Sequence, residues 1–402
     1  MSLNVKVGLI GLFDMLKFAN LAKNREKKIA KTPAEEVKAN YPINNLAREM
    51  HPDYQPLVID EIMDHSAAGA KTFVFKRSDG KPACWFRAGQ YISLKLPVGD
   101  SFVTRPYSIS SSPKWTLDGK VAVTVKTNPG GFAADWMLEN FKVGDELKGT
   151  EGLGQFYYEK HRDQKHVVAL AGGSGITPFL SMAYAIRDGI EDFNLTILFG
   201  SRTEDSILFK DEFDAIMAET DKVKVVHILS DEKKKGFENG FITADLIRKY
   251  AGSEPYSIFI CGPEAMYRFV AKEVEKLGLE KKYIRQEMLG ATKKVWEQPD
   301  YPQDCKDKTF KIAVRQGPNE TVCEASANEP ILVAIERAAI KAPSRCRSGE
   351  CGWCRSRVVE GEVFIPAETD GRRWADKQCK EIHPCASFPL SDITIVVPGE
   401  YY

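Results

Sequence analysis

The 402-residue sequence has no excess of charge of either sign, since 56 basic side chains balance 56 acidic ones. It offers no global field for a polyanion, which argues against nucleic acid as a partner. No cleavable signal pattern is evident, so the nine cysteines are expected to stay as thiols in a reducing, cytoplasmic setting. Long apolar runs are also missing. The nearest approach, Leu3 to Leu21, is broken by Lys6, Asp14 and Lys17 and followed by Lys23, Arg25, Lys27, Lys28 and Lys31, and falls short of the ~20 predominantly apolar residues of a membrane span. Such a segment suits an interfacial helix with a basic flank, giving peripheral membrane contact. It equally suits a helix packed on the body of the protein, or one buried in a dimer or partner. Finally, the cysteines form only one short C-x2-C pair, where zinc sites usually bring two short spacings.

The cysteines that are present are informative. Cys346, Cys351 and Cys354 stand in Ser-Arg-Cys-Arg-Ser-Gly-Glu-Cys-Gly-Trp-Cys, the C-x4-C-x2-C spacing that wraps a loop around a plant-type [2Fe-2S] cluster. A fourth thiolate must come from a distant segment. Cys385 is preferred because Pro-Leu-Ser-Asp-Ile-Thr-Ile-Val-Val follows it and reads as a strand, whereas its rival Cys379 lies in the charged stretch Asp-Lys-Gln-Cys-Lys-Glu. Zinc is the competing occupant. Cys84, Cys305 and Cys323 read as ordinary buried thiols. Between the ligands, Gly349 and Gly352 would let backbone N–H groups turn toward sulfur, a contact that helps set the potential. Arg345 and Arg347 read either as a basic rim for an acidic partner or as solvated loop residues.

The hydrophobic content of 43% suits buried cores, and the pattern divides the chain into blocks. Residues 1–50 form a helical, basic extension, and 51–157 alternate apolar and polar in short runs, which reads as antiparallel β structure. From His166 an apolar run, Val-Val-Ala-Leu-Ala, leads into a Gly-rich turn and a helix. Leu-Thr-Ile-Leu-Phe and Tyr-Ser-Ile-Phe-Ile repeat the pattern, so 158–290 reads as an α/β unit on a parallel sheet. The Pro- and Asp-rich stretch 291–308 reads as a linker. Residues 309–402 open as a hairpin, continue into a helix over Ile331 to Ile340, and carry the cysteine loop.

Arg105-Pro106-Tyr107-Ser108-Ile109-Ser110, with Ala88-Gly-Gln-Tyr-Ile92 before it and Glu151-Gly-Leu-Gly-Gln-Phe156 after it, resembles the flavin-binding signature of the ferredoxin-NADP reductase superfamily. The tetrapeptide alone would also suit an ordinary strand; the order of the neighbouring segments makes the match specific. Arg105 offers a fork of donors for a flavin phosphate, Tyr107 a ring for the isoalloxazine, and Ser108 a hydroxyl near the reactive ring nitrogen. Pro106 belongs to the same signature. The sequence departs from the family after Gly130 and Gly131, where Ala133 and Ala134 replace the usual hydroxyl residue. The resemblance therefore implies a phosphate grip made mostly of backbone amides, with FAD favoured over FMN.

Ala171-Gly-Gly-Ser-Gly-Ile-Thr-Pro178 follows a buried strand and opens a helix, where glycines let N–H groups meet a pyrophosphate. It resembles the NAD(P)-binding turn of the same superfamily, which assigns Gly172, Gly173, Gly175 and Thr177 to the nucleotide. Cys261-Gly262-Pro263-Glu264 matches the family's nicotinamide-side segment, placing Cys261 and Thr177 by the carbon that gives up hydride. A small thiol at a strand end is the plainer reading of Cys261. Arg202, at the end of Phe199-Gly-Ser-Arg-Thr203, either pairs with a 2'-phosphate or is solvated; with no acidic residue directly there, NADPH is slightly favoured over NADH.

The resemblance, covering most of the chain, implies an antiparallel flavin-binding β-barrel, a doubly wound parallel α/β nucleotide domain, and a β-grasp [2Fe-2S] ferredoxin domain behind the helical extension. It implies an NAD(P)H-dependent iron-sulfur flavoprotein oxidoreductase that passes electrons through the flavin to the cluster and then singly to an acceptor protein. A carrier subunit of a larger redox complex and a flavin reductase acting on a small molecule are the alternatives. The sequence does not name the acceptor.

Overall fold

The computed structural model describes residues 9–31, 41–99, 101–127, 132–287, 290, 292 and 294–398. Gly130 and Gly131 lie outside them. The chain divides into two units, 1–50 and 51–402. The first holds α1 (Leu9–Lys31) and α2 (Pro42–Met50). On α1, Leu12, Phe13, Leu16 and Leu21 are exposed. Among the described residues no helix is long and apolar enough to cross a membrane.

In the second unit, alternating burial along β1 (Gln55–His65) sets one face of the strand to the interior. With β2 (Ala70–Arg77), β3 (Tyr91–Val98), β4 (Ser101–Ser108), β5 (Lys120–Lys126), α3 (Ala133–Asn140) and β6 (Glu146–Gly149) it builds an antiparallel sheet of order β4-β3-β6-β1-β2-β5. A bridge between Ile109 and Val123 joins the two edges and curls the sheet into a barrel. Leu57, Phe73, Phe75, Phe86, Ile92 and Leu94 fill it.

The apolar run of β7 (His166–Gly172) is buried on both faces, as a central parallel strand must be. It is followed by α4 (Thr177–Arg187), β8 (Asn194–Ser201), α5 (Lys210–Glu219), β9 (Val223–Leu229), β10 (Glu238–Asn239), α6 (Ala244–Ala251), β11 (Tyr256–Cys261), α7 (Glu264–Glu275) and β12 (Ile284–Glu287). The strands form one parallel sheet in the order β10-β9-β8-β7-β11-β12. The order reverses beside β7, and the crevice at that switch point lies at the carboxyl ends of β7 and β11.

The last part contains β13 (Thr309–Gln316), β14 (Asn319–Ser326), α8 (Ile331–Arg337), β15 (Ser356–Glu360), β16 (Val363–Phe364), α9 (Trp374–Gln378), β17 (Glu381–Ile382), β18 (Phe388–Pro389) and β19 (Ile393–Val396). Its main sheet has the order β14-β13-β19-β15-β17, with only β13 and β19 parallel; α8 covers it through Ile331, Ala334 and Ile335. The stretch read as a linker is more than a tether. Val295 and Tyr301 are buried against Phe388, and the Tyr301 hydroxyl donates to the Ala327 carbonyl at 3.2 Å.

Candidate functional site

At the switch point the glycines are required by space. A Cβ on Gly175 would lie 2.2 Å from the Cys261 carbonyl oxygen, and one on Gly172 or Gly262 would lie 2.5 Å from the Met266 sulfur. Their absence lets the turn Gly172–Ile176 and the segment Cys261–Pro263 close on each other, leaving a backbone-lined cradle before α4 that suits a pyrophosphate. Thr177 is buried there, its hydroxyl donating to the Ser174 carbonyl at 2.9 Å. Cys261 is buried too, and burial pushes its thiol well above the ordinary range, so it is a neutral S–H.

β4 carries Arg105 to Ser108 along the barrel toward this crevice. The Ser108 hydroxyl donates to Glu287 Oε2 at 3.0 Å across the barrel–nucleotide seam, and Glu287 pairs with Cys261 in the β11–β12 register. Burial, the largest effect, pushes the Glu287 carboxyl up to about 8, although the Ser108 hydroxyl favours the ionised form. Ser108, Cys261 and Glu287 thus come together at the seam between the barrel and the nucleotide sheet. Tyr107 is half-buried beside Arg105 and packs on the barrel core. The guanidinium, aromatic ring and hydroxyl in a row have the donor chemistry a flavin needs.

Arg105 does not point freely at solvent. Its Nη1 lies 3.5 Å from Glu336 Oε2 on α8, and Arg347 of the cysteine loop donates to Glu336 Oε1 at 2.5 Å. Glu336 and Arg347 are both buried, and burial, aided by the Arg347 charge, pushes the Arg105 guanidinium down to about 10. One carboxylate between two guanidinium groups leaves a net positive charge between β4 of the barrel and the cysteine loop, a charge suited to anionic groups on either side. The loop is also tied to the barrel by Ser93, whose hydroxyl donates to the Arg345 carbonyl at 3.1 Å. Arg345 stacks 3.5 Å over the Trp353 ring and pairs with Asp53 at 3.3 Å. The expectation of a rim made by Arg345 and Arg347 is therefore corrected: Arg347 is buried in an ion triad and Arg345 is engaged by Trp353 and Asp53.

In the cysteine loop, the N–H groups of Ser348 and Cys351 point at Cys346 Sγ at 3.5 and 3.4 Å, and Trp353 N–H points at Cys351 Sγ at 3.5 Å. Gly349 and Gly352 have φ of +82° and +68°, the left-handed conformation that turns these amides inward. Cys346, Cys354 and Cys385 are buried and Cys351 is exposed. Cys354 and Cys385 sulfurs lie 3.5 Å apart, and the neighbouring Cys351 and Cys385 thiols hold Cys346 as a thiolate, well below the ordinary thiol range. The sulfurs form a chain of contacts, and among the described residues no three Cys, His, Asp or Glu side chains are placed to hold a single metal ion. Ser348 Oγ is buried beside the Cys346 sulfur, a donor available to a sulfur of the cluster. Cys379 is exposed at the end of α9, away from this group.

Arg202 directly follows β8, its side chain 84% exposed, and pairs with Asp231 at 2.8 Å. The acid absent from its own strand is thus supplied by the neighbouring one, since Asp231 N–H donates to the Arg202 carbonyl at 3.0 Å. Sequence reasoning missed Asp231, Glu287 and Glu336. Glu287 was signalled by a carboxylate at the carboxyl end of a parallel strand. Glu336 and Asp231 had no local signal, because each acts on a partner remote in the chain.

Residues 59–158, 169–272 and 314–390 match the families described as oxidoreductase FAD-binding domain, oxidoreductase NAD-binding domain and 2Fe-2S iron-sulfur cluster binding domain. The glycine betaine monooxygenase reductase subunit of Chromohalobacter salexigens is 27% identical over 84% of this chain and 93% of its own length. The carnitine monooxygenase reductase subunit of Escherichia coli is 28% identical over 73% of this chain and 83% of its own. Among solved structures, phthalate dioxygenase reductase, described as a modular structure for electron transfer from pyridine nucleotides to [2Fe-2S], aligns with a TM-score of 0.60 at 25% identity, covering 86% of this chain and 98% of that one. The fold and domains define an NAD(P)H-dependent iron-sulfur flavoprotein oxidoreductase. The chain belongs to the multidomain reductases of the ferredoxin-NADP reductase superfamily that join flavin, nicotinamide and [2Fe-2S] domains. It takes electrons from a pyridine nucleotide through FAD to a [2Fe-2S] cluster and on to an acceptor protein.

Both seams are open to test by substitution. Glu336→Gln leaves the buried Arg347 and the partly exposed Arg105 without the carboxylate between them and should lower the unfolding free energy by about 3–5 kcal/mol; a loss below about 1 kcal/mol in denaturant titration would reduce the triad to an ordinary surface pair. For Glu287, the folded state holds a proton that the unfolded carboxyl releases near its ordinary 4.5, whereas in the fold it is kept to about 8. That contribution is fully present below the lower value and is lost as pH rises through the higher one. The melting temperature should fall between these pH values, and Glu287→Gln should flatten the slope; an unchanged slope would place the titration elsewhere.

Proposed function

We propose that this chain is the reductase component of an oxygenase system, with NADH as its preferred donor. Support for the oxygenase comes from the relatives named as reductase subunits of monooxygenases. The single observation that carries the site assignment is the Ser108–Glu287 hydrogen bond beside Cys261, which joins the flavin barrel to the nicotinamide end of the nucleotide sheet. On this reading residues 51–157, 158–290 and 309–402 are the flavin, nucleotide and cluster domains.

Arg105 and the amides around Gly130 and Gly131 hold the flavin phosphates, Pro106 and Tyr107 set the ring plane, and Ser108 orients the reactive edge. Gly172, Gly173 and Gly175 receive the pyrophosphate, while Cys261, Gly262, Pro263 and Thr177 shape the nicotinamide pocket. When bound, the flavin converts the two electrons of a hydride into the single electrons a [2Fe-2S] cluster accepts. The neutral Cys261 and the protonated Glu287 put no negative charge against the nicotinamide, so the pocket admits its cationic, oxidised ring without trapping it. Cys346, Cys351, Cys354 and Cys385 are the cluster ligands, and the loop amides aimed at their sulfurs stabilise added negative charge.

The preference for NADH rests on Asp231. It neutralises Arg202 and offers an acceptor for a ribose 2'-hydroxyl, whereas a 2'-phosphate would meet its charge. Asp231→Asn should raise the ratio of kcat/KM for NADPH over NADH by about tenfold, a gap near 1.4 kcal/mol; an unchanged ratio would remove this pair from nucleotide choice. For the cluster, Cys385→Ser should abolish or shift the visible iron-sulfur bands while flavin reduction by nucleotide persists, and Cys379→Ser should leave them intact. The reverse pattern would make Cys379 the fourth ligand.

A further inference from the structure

Residues 1–50 form a unit of their own, and charge is sorted onto them. They hold nine basic and five acidic side chains, a surplus of +4 that the rest of the neutral chain balances with −4. The helix α1 alone accounts for that surplus, with Lys17, Lys23, Arg25, Lys27, Lys28 and Lys31 against Asp14 and Glu26. The same unit exposes apolar surface. Leu12, Phe13, Leu16 and Leu21 on α1, and Ile43 and Leu46 on α2, are each more than half exposed. Single exposed leucines need no explanation, but six such side chains within 35 residues form an apolar surface that calls for a covering.

On α1 the two properties share one stripe. Steps of three and four residues carry it from Leu12 through Leu16, Asn20, Lys23 and Lys27 to Lys31, all of them exposed. It is apolar over its first turns and basic over its last, so the division runs along the helix and not only around it. A second copy paired on this stripe would need apolar residues to recur over three or four heptads. Parallel pairing would instead set Lys23, Lys27 and Lys31 against their own copies, and antiparallel pairing would set Lys27 and Lys31 against Leu16 and Leu12. Protein interfaces are depleted in Lys at their cores and enriched in Arg and aromatic residues, whereas five of the six cations of α1 are lysines. An anionic bilayer matches both halves. Its acyl boundary takes the leucines and the phenylalanine, and lysine stems lie along that boundary with their ammonium groups at the phosphates. Asp14 and Lys17 interrupt the apolar half, and no described helix is long and apolar enough to cross, so such a helix rests in the plane of the surface.

We propose that α1 lies in the surface of an anionic phospholipid bilayer, with Leu12, Phe13 and Leu16 below the headgroups and Lys23, Lys27 and Lys31 on their phosphates. Residues 1–50 thereby hold the chain at a membrane without crossing it. The tether goes beyond the relay and does not depend on it, since none of its residues belongs to the flavin, nucleotide or cluster sites. Attraction of the lysines to the headgroups is screened by salt, while the apolar contribution is not.

The test is co-sedimentation of the full holoprotein with vesicles of phosphatidylcholine alone and of phosphatidylcholine with about one-third phosphatidylglycerol. The unmodified chain should partition about tenfold more strongly onto the anionic vesicles, and added salt should reduce that excess. Lys23→Glu with Lys27→Glu and Lys31→Glu should bring binding down to the level seen on phosphatidylcholine. Leu12→Ser with Phe13→Ser and Leu16→Ser should weaken binding to the anionic vesicles by about tenfold and leave its salt dependence in place. These positions are all exposed, so an unchanged visible flavin spectrum, bleached by nucleotide as before, is the control for folding. Equal partition onto both vesicles, no binding to either, or binding that both variants retain would overturn the tether and leave the relay standing. A change in the chain's own sedimentation without vesicles would give the stripe to a second copy, and competition by inorganic phosphate beyond its effect as salt would give the lysines to a free anion; either result overturns the tether. Flavin that nucleotide fails to bleach in the unmodified chain, with binding to the anionic vesicles as described, would defeat the relay and leave the tether in place.

Discussion

Glu336 is the constraint on which the arrangement of the redox sites depends. One buried carboxylate bridges Arg105, from strand β4 of the barrel, and Arg347, the residue next to the first cysteine of the loop. Charges taken out of water are tolerated only when paired, and removal of one partner leaves the others uncompensated. The triad therefore disfavours any arrangement in which the cluster domain leaves the barrel. With two cations to one anion, it also carries the charge that both a phosphate and an iron-sulfur centre require. Arg347 takes φ of +58°, a left-handed conformation that a non-glycine residue holds only when its surroundings fix it, and here the ion triad does so.

The second seam is smaller and chemically different. Ser108 meets Glu287 in a place closed to water, where the carboxyl stays protonated at neutral pH, and Cys261 beside it stays a thiol. The seam is thereby polar without being charged, while Arg105 on β4 and the glycine turn before α4 offer guanidinium and backbone-amide donors.

Much of this was legible in the sequence because it is written in backbone requirements. Gly172 and Gly175 lie in a tight turn where a Cβ has no room, and the cysteine spacing follows from a loop that must present three sulfurs at once; such demands leave local patterns. The preference for Cys385 over Cys379 is a reading of local context, a following strand against a charged stretch, and belongs to the proposed ligand set. Residues acting across a seam were not legible. Glu336 sits in a helix whose sequence, Ile-Leu-Val-Ala-Ile-Glu-Arg, reads as an apolar face with a polar edge, and its burial depends on Arg105, 231 positions earlier. Arg347 read as a rim residue for the same reason. The Pro- and Asp-rich stretch 291–308 read as a tether because composition outweighed Val295 and Tyr301, whose burial depends on Phe388.

The most direct test of the central claim, a relay from nucleotide through flavin to cluster, is an anaerobic visible titration with NADH and separately with NADPH, followed by electron paramagnetic resonance of the reduced protein. The account predicts bleaching of the flavin band together with the signal of a reduced [2Fe-2S] cluster. Bound chromophores that neither nucleotide reduces, or flavin that bleaches while the cluster stays oxidised, would contradict it.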